Sequence, residues 1–82
     1  MAGPKYRRIA ESIREEIRQG RWKVGDYLPS TAQLQVLYAP VGKETIRVAC
    51  LVLAGEGLIE GDSTVGRKVI AVPKPEGPTP GG

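Results

Sequence analysis

Three helices followed by a β-hairpin, a mainly α arrangement of the α+β class, is the fold the sequence predicts. Three observations predict it. Apolar residues recur at helical spacing over residues 6–17. A Ser-x-x-Gln pattern at Ser30 and Gln33, and a glycine at Gly42, each open a further apolar stripe. After Gly57, two short strand-like runs flank the turn-forming stretch Gly61-Asp62-Ser63-Thr64-Val65-Gly66.

The first helix follows from Tyr6, Ile9, Ala10, Ile13 and Ile17, which share one face at a period of 3.6 residues. Charged residues fill the opposite face, with Glu11 and Glu15, Arg14 and Arg18 as one-turn neighbours. Pro4 stands just ahead, where a missing amide costs nothing, and Gly20 closes the element. Trp22 follows, large enough to seal one end of a small core. Val24 to Pro29 reads as a turn and a short extended piece, because Pro29 biases Leu28 away from helical backbone.

Ser30 offers its hydroxyl as an N-cap, and Gln33 three residues on completes a capping box. The second helix then turns Leu34, Leu37 and Tyr38 inward and stops near Pro40, which cannot continue a helix. Gly42 restarts the chain as a third helix. Ile46, Ala49, Cys50 and Leu53 form its buried stripe, widened by Val52, and Gly55 and Gly57 end it. Leu58-Ile59-Glu60 and Arg67 to Val72 are the strands of the hairpin. Trp22, Tyr6, Tyr27 and Tyr38 are expected in the core, as is Cys50. Two short helices joined by a tight turn and followed by a hairpin make a winged helix-turn-helix.

Composition narrows the function. The chain has 82 residues, and its last ten read PKPEGPTPGG. Such a segment buries too little apolar surface to order itself, so the expected domain is 5–72 with a Pro/Gly-rich tail or linker at 73–82. About 70 folding residues are too few for most enzymes that enclose a substrate. Histidine is absent and Cys50 is the single cysteine, so neither an internal disulfide nor a multi-thiolate zinc site can form. No catalytic pairing, cofactor or metal is expected. No run approaches the roughly 18 apolar residues of a membrane span, and no signal peptide opens the chain, so the expected setting is the cytoplasm.

Charge adds a direction. Twelve basic against nine acidic residues leave +3. Residues 1–22 carry six basic and three acidic side chains, and Arg67 and Lys68 form a second small cluster. This layout fits a nucleic-acid partner and a solvated basic face equally well.

Beyond composition, the residues carry a resemblance. Tyr6-Arg7-Arg8-Ile9-Ala10, Gly20-Arg21-Trp22, Gly25-Asp26-Tyr27-Leu28-Pro29-Ser30, Thr45-Ile46-Arg47 and Leu53-Ala54-Gly55-Glu56-Gly57-Leu58-Ile59 resemble the N-terminal DNA-binding domain of the GntR family over about residues 5–72. The family consists of bacterial transcription regulators, mostly repressors, that bind palindromic operators as dimers. The resemblance implies that the third helix enters the major groove by its first turn, with Lys43, Thr45 and Arg47 matching family contacts. It matches Gly66, Arg67 and Lys68 to a wing at the minor groove. Double-stranded DNA is the implied partner, the nucleoid the implied location, and a homodimer on DNA the implied assembly.

The sequence departs from the family pattern in three places. Thr31, Ala32 and Gln33 stand where an acid-Arg-acid triplet is usual, the turn Ala39 to Gly42 is one residue longer, and these 82 residues hold no effector-binding domain, as either a fragment of a longer regulator or a stand-alone DNA-binding domain would, so no small-molecule effector is expected within this chain.

Two residues keep a double reading. Glu44 can favour the positive end of the helix dipole or accept from a cytosine amino group. Gly66 can admit a close backbone approach to DNA or serve only a turn with positive φ. Arg7 and Arg8 would add phosphate attraction, and the Ser30 hydroxyl could touch a phosphate besides capping. The competing reading from another class is a winged-helix adaptor for a protein partner.

Overall fold

The computed structural model describes residues 4–73. Its elements are α1 (Lys5–Arg18), α2 (Thr31–Leu37), α3 (Lys43–Gly55), β1 (Ile59–Asp62) and β2 (Gly66–Val69). Three helices and one antiparallel hairpin form the expected winged helix-turn-helix. The expected tail lies outside the described residues apart from Pro73, which is buried.

The amphipathic stripe of α1 behaves as its spacing demands: Ile9, Ala10, Ile13 and Ile17 are all buried. They face α3, whose Ile46, Ala49, Cys50 and Leu53 are buried in turn, and α2 packs on α3 as well. Leu28, Leu34, Leu58, Ile59 and Val69 complete one core. Each large aliphatic side chain buried here contributes roughly 1.5–3 kcal/mol. Trp22 seals the edge at 8% exposure. The salt bridge from Arg14 to Glu56, with Nη2 to Oε2 at 2.7 Å, ties α1 to the end of α3.

The capping box at α2 is complete. The Ser30 hydroxyl accepts from the Gln33 amide at 3.2 Å, and the Gln33 side chain accepts from the Ser30 amide at 3.1 Å. A five-residue connection, 38–42, leads to α3, and Lys5 at the start of α1 donates to the Pro40 carbonyl within it.

In the hairpin, Ile59 pairs with Val69, Glu60 with Lys68, Gly61 with Arg67 and Asp62 with Gly66. The other edge of β2 is occupied too. Tyr27 bridges Lys68, the Leu28 amide donates to the Arg67 carbonyl at 2.8 Å, and the Val69 amide donates to Asp26 at 2.8 Å. The short extended piece between α1 and α2 thus runs beside the wing.

Four expectations need correction. Leu37 is 44% exposed. A seven-residue helix offers only Leu34 a place over the core. Tyr27 is 58% exposed, because alternation along the extended piece turns Leu28 inward and Tyr27 outward. The second strand ends at Val69 rather than Val72, since the Ile70 and Ala71 amides both turn to the Leu58 carbonyl. Arg67 is the fourth: it is buried, for the reason given below.

Candidate nucleic-acid interface

The start of α3 is the exposed end of a well-anchored helix. Gly42 is its N-cap, in extended backbone and with no side-chain cap. The first-turn amides are therefore left for solvent or an anion. Ile46, with no exposed surface, fixes the helix from below. Helical periodicity then turns Lys43, Glu44 and Arg47 outward, all exposed, with Thr45 half-buried beside them. Arg47 Nη1 donates to Glu44 Oε2 at 2.8 Å, an ion pair within one helical turn. Among the described residues Lys43 has no side-chain partner.

The hairpin meets this face of α3 at a cleft of about 280 Å³ lined by Arg47, Cys50, Leu51, Ala54, Arg67 and the hairpin residues Ile59 and Gly61 to Thr64. Its tip is a tight turn built by Asp62, whose Oδ1 accepts from the Thr64 amide at 2.8 Å and the Val65 amide at 3.1 Å. Those two amides hold the Asp62 carboxyl below its ordinary value, with Arg67 adding a smaller pull. Ser63 and Thr64 line the cleft together with Arg47. They were missed by sequence reasoning, although an Asp followed two and three residues on by turn amides is a recognised Asx pattern.

The expected site residues divide over this surface. Arg47 and the hairpin tip share the cleft, and Lys43, Glu44 and Thr45 lie on the same helix turn or one before it. Ser30 is exposed at the start of α2. Lys68 and Gly66 line a different hollow, with Tyr27, Glu60 and Val65. Gly66 adopts φ +96°, and a Cβ there would meet the Tyr27 ring at 3.0 Å, so the fold itself calls for glycine. Arg8 lies near the connection to α3, sharing a groove with Tyr38 and Pro40, and Arg7 is exposed on α1.

Arg67 departs from expectation. Only 5% of it is exposed, and its Nη1 donates to the Thr31 hydroxyl at 3.1 Å. The cause is the two-residue alternation of β2, which puts Arg67 on the same inward face as Val69 and leaves Gly66 and Lys68 on the other. Thr31 had carried no role in the sequence reading.

Among the described residues no group of three or more His, Cys, Asp and Glu could hold a metal ion, and no helix is long and apolar enough to cross a membrane. Cys50 is buried, as expected, and burial pushes its thiol up against a smaller opposing pull from Arg67.

Comparisons with known proteins converge on this geometry. A family model described as bacterial regulatory proteins, gntR family, matches residues 5–69. The chain is similar to the mannosyl-D-glycerate transport/metabolism system repressor MngR of Escherichia coli, at 40% identity over 57 residues, covering 70% of this chain and 23% of that protein. It is also similar to the HTH-type transcriptional regulator YdfD of Bacillus subtilis, at 36% identity over 84% of this chain and 14% of that one. The chain thus spans less than a quarter of the length of these relatives. Among solved structures, the AraR DNA-binding domain in complex with operator ORE1 superposes with a TM-score of 0.78 at 29% identity, covering 84% of this chain and 83% of that chain. A GntR family transcriptional regulator from Listeria monocytogenes gives 0.75 at 28% identity, covering 84% of this chain and 60% of that chain.

Proposed function

The chain belongs to the gntR family of bacterial regulatory proteins, and from that premise we propose that it binds double-stranded DNA of a particular sequence and represses transcription by occupying an operator. The observation that carries this reading is the exposed first turn of α3, anchored by Ile46, with Arg47 just after it sharing a cleft with the hairpin tip. The likeness to a domain crystallised on its operator supports it.

In this reading α3 enters the major groove by its N-terminus, where unpaired amides and short side chains meet phosphates and base edges. Lys43 bonds a phosphate or a guanine edge. Arg47, once released from Glu44, takes a guanine by both nitrogens. Thr45 meets a phosphate or a thymine methyl, and Glu44 balances the helix dipole or accepts from a cytosine. Ser30 adds a hydroxyl at the phosphate backbone. Gly66 and Lys68 belong to the wing, and Arg7 and Arg8 attract the duplex from α1. No bond is made or broken, so the chain is not an enzyme and calls for no cofactor. The site of action is the cytoplasm, on the chromosome.

Two copies on a palindrome would supply the affinity that one small domain lacks. Selection of duplexes from a random pool by the full chain tests all of this. A recovered palindrome supports a paired complex, a single short motif supports one copy per site, and no enrichment removes the proposal. With four phosphates neutralised per half-site, log K falls against log salt with a slope of about −3.6.

A further inference from the structure

Arg67 is the one charged residue buried among the described residues, and no carboxylate lies within ion-pairing distance of it there. The nearest acidic influence is the Asp62 carboxyl, which feels a longer-range pull from Arg67 without pairing to it, so the one side-chain bond of the guanidinium among the described residues, to the Thr31 hydroxyl, has structural weight. That bond spans 36 positions of sequence. One end lies in β2 of the wing and the other in the first residue of α2, next to the capping box. Main-chain bonds hold the same neighbourhood, with the Leu28 amide on the Arg67 carbonyl at 2.8 Å. Opposite Arg67 in the hairpin stands Gly61, which has no side chain to compete for the space.

We propose that Arg67 is a positioning residue: its buried guanidinium, bonded to Thr31, latches the wing to α2 and thereby sets the hairpin tip at the angle from which it and the start of α3 face one duplex together. This rests on the DNA reading above and deepens it. The rival role for Arg67, direct contact with a phosphate, requires a side chain that reaches solvent. Arg67 does line the cleft beside Arg47, but only 5% of it is exposed and its register turns it inward, which opposes a phosphate contact.

The test uses the full chain and variants Arg67→Met, Thr31→Val, Thr31→Ser and the Arg67→Met/Thr31→Val double. Each is titrated with a duplex recovered from the pool by the unchanged chain, at several salt concentrations and far below the urea midpoint measured in parallel. The latch predicts that Thr31→Val weakens binding about tenfold, the effect of one lost charge-assisted hydrogen bond. It also predicts that Arg67→Met does the same, that the double loses no more than either single, and that Thr31→Ser binds like the unchanged chain. The salt slope stays the same throughout.

A slope shallower by about 0.9 in Arg67→Met would make Arg67 a phosphate contact and end the proposal. So would variants that lose stability but bind DNA as before, or single losses that add in the double. Should Arg67→Met not fold, the two Thr31 variants decide alone. An unchanged chain that enriches no duplex overturns the DNA reading and this one together. One that binds, beside variants that bind equally well, overturns only the latch.

Discussion

Arg47 and Glu44 are joined across the first turn of α3, Nη1 to Oε2 at 2.8 Å, on the face that would meet DNA. Their side chains are 58% and 72% exposed, so water screens the pair and its net worth is at most about 0.5 kcal/mol. Such a pair opens without difficulty, yet its carboxylate repels phosphate. Replacing Glu44 by Gln is therefore expected to tighten binding to duplexes of unrelated sequence while moving stability by no more than about 0.5 kcal/mol. Anisotropy titrations on selected and scrambled duplexes check this. Weaker binding to the selected duplex alone would instead assign Glu44 to a cytosine.

Lys43 and Arg47 should separate into two kinds of contact. Lys43→Ala is expected to weaken binding to every duplex and to flatten the salt dependence by about 0.9. Arg47→Ala should cost about 1–3 kcal/mol of discrimination at one guanine position. Both variants should melt like the parent, because both side chains are exposed. Unchanged function in the cell with both residues replaced would favour the protein-adaptor reading.

The hairpin is sensitive at a position that carries no side chain. A Cβ on Gly61 would lie 2.1 Å from the Gly66 carbonyl oxygen, and φ there is +100°. Gly61→Ala cannot be accommodated without moving β2, and a loss of about 1–3 kcal/mol or more is expected. At Gly66 the obstacle is the exposed Tyr27 ring, which can swing aside, so only the backbone strain remains. Urea denaturation should rank Gly61→Ala well below Gly66→Ala.

Acid should loosen the hairpin tip. The Thr64 and Val65 amides hold the Asp62 carboxyl below its ordinary value. A depressed folded-state value means that the stabilisation is fully present above the ordinary Asp range and disappears as pH falls through the lowered value. The protection of the Thr64 and Val65 amides against exchange, measured by NMR relative to the intrinsic rate at each pH, should fall over that acidic interval. Asp62→Asn keeps an acceptor oxygen and should abolish the pH dependence, whereas Asp62→Ala should lose the turn at every pH.

Cys50 provides a separate check on the core. Buried and pushed up by that burial, its thiol should resist a disulfide reagent at neutral pH in the folded chain and react fully in urea. Rapid reaction under native conditions would contradict the packing of α3.

Much of this architecture is legible in the sequence because each legible element is specified locally. The stripe of α1 and that of α3 are buried at the positions their spacing names, and the capping box forms both of its bonds. What could not be read depends on the partner element. Leu37 follows Leu34 at helical spacing, yet α2 ends before the core reaches it. Tyr27 and Arg67 each look typical of one class, a core aromatic and a surface cation, and the register of β2 with its neighbours reverses both. A charge run such as Gly66-Arg67-Lys68 names no face until the phase of the strand is known.

The chain also contains its own optical reporter. Trp22 is the only tryptophan, it is buried, and the Arg21 guanidinium lies 5.2 Å from its ring centre. Its emission should shift to the red when the hydrophobic interior opens. It belongs neither to α3 nor to the hairpin, so fluorescence can follow unfolding in every variant above without a dye.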